Sequence, residues 1–129
     1  MPDSITLSSP DPGSTVTTSP TFSGSYSLAN TGSFNKIVVR IVYPPNTMNT
    51  NLVVEGNATN NATALTWTLT FAGVPVGLDT TVTAELYIGT TTAVLADSDT
   101  IEDVDILDTT PVGTLGTITR LPTPIIPIP

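Results

Sequence analysis

Eleven carboxylates, three cations, no histidine and no cysteine set the chemistry open to this 129-residue chain. Six of the acids crowd into DSDTIEDVDILD: Asp97, Asp99, Glu102, Asp103, Asp105 and Asp108. Carboxylates at alternating positions can hold Ca²⁺, which takes six to eight oxygen ligands. The run lacks the loop glycine and the spaced terminal glutamate of an EF-hand, so the alternative is a solvated strand end whose charges discourage edge pairing. No other metal or cofactor is expected, because imidazole and thiolate ligands are absent.

Acid–base hydrolysis needs two carboxyls about 5 to 9.5 Å apart with separated acidities. Glu55 and Glu85 are the strand-borne candidates, and both fall at outward positions on a threonine-rich face. A Ser/His/Asp set cannot form without histidine, and no glycine-rich phosphate loop opens a helix. The expectation is a protein that is not an enzyme. Trp67 could stack on a sugar, yet it shares its phase with Leu65, Leu69 and Phe71, which places it in a core. Tyr87 is the aromatic with an outward phase. The acceptor triplets Asn57-Ala58-Thr59 and Asn61-Ala62-Thr63 arise easily by chance in so Thr- and Asn-rich a chain.

Lys36 and Arg40 share a strand face with Val38 and Val42. Such a stripe could meet an acidic neighbour, including the acidic run of another copy; the alternative is a partly covered strand with local ion pairs. With a net charge of −8 and only Lys36, Arg40 and Arg120 positive, the chain cannot supply a phosphate-neutralising footprint, so neither nucleic acid nor an anionic membrane is an expected partner. MPDSITLSSP has neither the basic start nor the apolar run of a signal peptide. Met1 reads either as the start of a protein made in the cytoplasm or as an added start on a domain cut from a secreted chain.

The elements that must carry these residues are strands. Threonine is one residue in five, and twelve Pro and nine Gly divide the chain into short runs. NKIVVRIVYPP sets Ile37, Val39, Ile41 and Tyr43 against Lys36, Val38, Arg40 and Val42. ALTWTLTFAG places Leu65, Trp67, Leu69 and Phe71 inside, with threonines outside. TTVTAELYIG does the same with Val82, Ala84, Leu86 and Ile88. With SITLSSP, PTFSGSYSL, NLVVEG and TAVLADSDTI these make about seven short strands, the pattern of an antiparallel all-β sandwich.

SSPDPGSTVTTSPTFSGSYS (8–27), LTWTLTFAGVPVG (65–77) and TVTAELY (81–87) resemble the bacterial Ig-like domain, over about residues 4–101. Such modules occur in bacterial surface adhesins and in accessory proteins of tailed-phage virions. The resemblance implies an Ig-like Greek-key β-sandwich with a binding or spacer role and no catalytic residues. It departs after VPVG, where LDTT stands in place of the usual Thr-Tyr, and no second copy follows.

The sandwich rhythm fades near residue 102, so the domain is expected to cover 1–108, followed by an extended Pro-rich arm over 109–129. Twenty-one extended residues reach about 60 Å at roughly 3.1 Å each. Pro122 and Pro124 lack N–H groups, which leaves Thr119, Leu121, Thr123 and Ile125 to donate to one side of a partner strand. Ile126 and Ile128 then lie in a polyproline stub with Pro127 and Pro129. An inert linker has no use for such apolar residues, so the arm is expected to attach the domain to a protein assembly: capsid subunits, other subunits, or copies of itself. The expected place is the surface of a virion, as a decoration or outer-surface subunit. The alternatives are the surface of a bacterium, as an adhesin module, or a carbohydrate-binding module.

Overall fold

Alternation of buried and exposed side chains runs through nearly every strand. The computed structural model describes residues 3–30, 33–45 and 52–108, and the expected arm at 109–129 lies outside them. The strands are β1 (Ser4–Ser9), β2 (Thr15–Val16), β3 (Thr21–Ser27), β4 (Phe34–Val42), β5 (Val53–Asn57), β6 (Thr59–Asn61), β7 (Thr66–Thr70), β8 (Gly77–Ile88) and β9 (Val94–Ile106). The described residues contain no helix, hence none long and apolar enough to cross a membrane.

Two sheets form, one in the order β1-β3-β7-β6 and the other β2-β9-β8-β4-β5. Neighbours pair antiparallel except β2, which runs parallel to the end of β9. Phe22, Tyr26 and Trp67 from the first sheet share one core with Ile37, Val39, Ile41, Val82, Ala84 and Leu86 from the second. Phe22 and Phe71 meet edge to face at 5.9 Å, and the Trp67 indole donates to the Thr6 carbonyl at 3.2 Å.

Seven strands match the expected runs; β2 and β6 are additional. Each is too short for alternation to register, two and three residues respectively. Leu65 does not join the core. It sits at the end of a turn with φ of 58° and 37% exposure, so the inward stripe begins at Trp67. The rhythm does not end at 102 either. Val82 pairs with Ile101 and Thr80 with Val104, so β9 carries one residue more than β8 across that interval. Asp103, at φ of 60°, lies in this bulge, and Val104 and Ile106 return to full burial. Thr80 is buried with its hydroxyl donating to the Val104 carbonyl at 2.6 Å.

Tyr43 closes the foot of the second sheet. Its ring occupies the space a side chain at Gly77 would need, and its hydroxyl donates to the Pro75 carbonyl at 2.6 Å. Burial raises the pKa of this phenol above the ordinary tyrosine value. The folded chain therefore holds the proton more tightly than the unfolded chain. The resulting stability is complete below about pH 10 and is lost as pH rises from there through the raised folded value. Tyr43→Phe is expected to cost about 1 kcal/mol at neutral pH and to flatten the alkaline loss of stability. Urea midpoints recorded from pH 8 to 11 check both effects.

Candidate functional site

The outer face of the second sheet gathers most of the chain's described charge pairs. Register places Lys36 beside Tyr87, Val38 between Glu85 and Asn57, and Arg40 beside Glu55. Arg40 bridges two strands, with Nη1 3.1 Å from Glu55 and Nη2 2.8 Å from Glu85. Its Nε is enclosed without a hydrogen-bond partner. Burial pulls the guanidinium's pKa down, but the hydrogen bond to Glu85 and the two carboxylate charges outweigh it and raise it. The Tyr87 hydroxyl donates to Glu85 at 3.0 Å, and Lys36 Nζ stands 5.2 Å from the Tyr87 ring centre. Burial, reinforced by Glu85, pushes the Tyr87 phenol up.

The valines of the expected stripe are thus screened by their neighbours, while Lys36 is exposed. Val38 is only 6% exposed although it points outward, and Val42 is half-buried. The two carboxylates weighed for acid–base work both lie against one guanidinium, where they act as acceptors. A surface pair such as Arg40–Glu55 is worth roughly 0–1 kcal/mol, whereas the Arg40–Glu85 pair is part-buried.

The acidic run divides between two faces. Asp97 and Asp99 share the inward phase of Ile101 and meet β1, the edge strand of the opposite sheet. The Ile5 N–H donates to Asp97 Oδ2 at 2.9 Å and the Leu7 N–H to Asp99 Oδ2 at 2.8 Å. These carboxylates replace a neighbouring strand and lace the two sheets together along one side. Asp105 accepts from the Asp79 N–H at 2.9 Å, while Glu102 and Asp103 are exposed. Among the described residues, no three His, Cys, Asp or Glu side chains are placed to hold a metal ion. The lacing role was legible in part: Asp97 and Asp99 stand four and two residues before the buried Ile101, a phase that calls for a partner.

Trp67 is 2% exposed, so its ring offers no platform to a sugar. An open groove of about 550 Å³ runs along β6 and β7, lined by Thr59, Asn60, Asn61, Thr66, Trp67 and Thr68. Asn60 is turned inward there, donating to the Tyr26 hydroxyl at 2.9 Å.

The other lateral end of the second sheet is β5. The Tyr43 N–H bonds the Leu52 carbonyl, and the Ala58 N–H bonds the Ile37 carbonyl. Bonded pairs alternate in an antiparallel ladder, so Leu52, Val54, Gly56 and Ala58 face β4 through their backbones. The N–H and C=O groups of Val53, Glu55 and Asn57 consequently point away from the sheet. The residues expected to attach to a partner, Thr119, Leu121, Thr123, Ile125, Ile126 and Ile128, lie outside the described residues.

No protein family, no curated protein and no solved structure matches this chain.

Proposed function

We propose that this chain is a non-enzymatic attachment protein, an Ig-like Greek-key sandwich that joins a larger assembly through its C-terminal arm. The strand order supports the Ig-like reading. An Ig-like sandwich sets strands A-B-E-D against G-F-C-C′, and β1-β3-β7-β6 against β9-β8-β4-β5 follows that order. The observation that carries the attachment role is the donor phase of residues 119–125. Four residues there can donate to one side, and prolines blunt the other. Prolines also restrict the free chain, which lowers the entropy lost on docking.

The scarcity of charge and the apolar arm favour an accessory subunit on the surface of a virus particle, bound to capsid or other subunits. Deleting residues 119–129 is expected to leave the melting temperature of the sandwich unchanged while abolishing sedimentation with the particle. A truncated chain that co-sediments as the full chain does would overturn the attachment role. Genes for capsid or tail proteins beside this one would support the virion; a long parent gene with a signal peptide and tandem modules would shift the reading to a bacterial adhesin.

A further inference from the structure

We propose that the outward edge of β5 receives residues 119–125 of a second copy of this chain, lengthening the five-stranded sheet by one strand. The inference rests on the attachment reading above and names the receptor for the same segment.

The sheet edges differ in how well they are guarded. Asp97 and Asp99 occupy the free N–H groups of β1. The β2 strand covers only the last two residues of β9, and the rest of that edge is guarded by the inward-turned charges of Asp97 and Asp99; β6 is three residues long, and very short edges are poor templates. The β5 strand is five residues long, carries no proline or lysine, and ends its sheet. Val53, Glu55 and Asn57 present three donors and three acceptors in one phase. Leu121, Thr123 and Ile125 have the matching phase, while Pro122 and Pro124 face away. A strand added in this way leaves a blunt outer edge, so growth stops after one addition.

Side chains agree with this pairing. Directly opposed residues in an antiparallel pair lie on one face, within reach of each other. Val53 is 41% exposed on that face and would gain Leu121 or Ile125 as an apolar neighbour. Pairing β5 with another β5 in register at its centre would instead set Glu55 against Glu55, and opposed like charges are destabilising. Residues 119–125 hold no acid.

The chain path favours a second copy over the chain's own edge. Ile106 pairs with Gly77, Thr81 with Val42, and Val42 with Val53, so β9 ends at the Val53 end of the sheet. That point lies about 14 Å from β5, three strand spacings away. To lie antiparallel on its own β5, the segment must enter at the far, Asn57 end. A neighbouring molecule is free of that constraint, and antiparallel pairing is the more stable arrangement.

The absence of cysteine makes the contact directly testable in the full chain. Copies carrying Asn57→Cys are mixed with copies carrying a cysteine at one position from 119 to 125 and mildly oxidised. A mixed disulfide dimer is expected at Leu121→Cys, with loss of cross-linking at Arg120→Cys and Pro122→Cys. Moving the receptor cysteine to Val53→Cys should shift the best partner four residues toward the C-terminus, as antiparallel pairing requires. Cross-linking without phase, or none at any position, would overturn the proposal. So would a disulfide that forms within one doubly substituted chain and never between copies. If these fail while deletion of 119–129 still abolishes particle binding, the attachment role stands and β5 is not its receptor.

Discussion

Gly24→Ala is expected to cost about 3–5 kcal/mol, a large loss for a single methyl group. A Cβ at this position would lie 1.8 Å from the Thr6 carbonyl oxygen and 2.9 Å from the Trp67 indole nitrogen. Neither neighbour is the free end of a flexible side chain. Thr6 belongs to the β1 backbone, and Trp67 is fixed by core packing and by its bond to that same carbonyl. Relief requires β1 to move off β3, which strains the pairs Thr6–Ser25 and Leu7–Gly24. It also deprives a buried indole N–H of its acceptor, a penalty of roughly 1–3 kcal/mol added to the overpacking itself. Ser25→Ala, one residue along and exposed, should stay within about 0.5 kcal/mol of the parent. Urea unfolding of the two variants makes the comparison; equal midpoints would show that β1 yields without cost.

Removing both Asp97 and Asp99 as alanines should destabilise the sandwich by about 4 kcal/mol, since a hydrogen bond to a charged group contributes roughly 1.5–3 kcal/mol. The two carboxylates are the acceptors for the Ile5 and Leu7 amides, and both of those side chains are buried. Without them the β1 edge faces the core rim with unpaired donors. The paired Asp→Asn variant keeps an oxygen at each site but loses the charge, so its loss should be about half as large. Glu102→Ala, in the same acidic run but exposed, is expected to change stability by no more than about 0.5 kcal/mol. Hydrogen exchange localises the effect: the Ile5 and Leu7 amides should lose protection in the double variant before the β4 and β8 amides do. Equal losses for Glu102→Ala and the double variant would refute the lacing role and leave net charge as the cause.

The inward phases of β3, β4 and β8 could be read directly from the chain. Side chains in a strand alternate with period two, so Phe22, Ile37, Val39, Ile41, Val82, Ala84 and Leu86 declare their face through their immediate neighbours. The same local logic misplaced Leu65, because the turn over residues 62–65 ends in a left-handed conformation that hydrophobicity does not encode. It also lost β9 after residue 102, where one inserted residue reverses the phase and a pattern of fixed period no longer applies.

The segment 119–125 proposed for attachment is the opposite case. Its one-sided donor pattern follows from the covalent chemistry of proline alone, without reference to any partner. Composition likewise limited the chemistry, since no fold can supply an imidazole or thiolate that the chain lacks.

Roles that depend on distant partners needed the fold. The Asp97 and Asp99 carboxylates each reach an amide 92 residues away, and Arg40 finds Glu85 45 residues along. Within the run of six acids the phase of Ile101 is shared by Asp97, Asp99, Asp103 and Asp105, so phase alone does not separate the two that lace the sheets from the exposed Asp103. Burial against a particular neighbour separates them, and burial is a property of the assembled sheets. The same holds for β5: its sequence marks it as a strand, but its place at the end of the sheet, with three residues bonding outward, exists only once β4 has paired with β8.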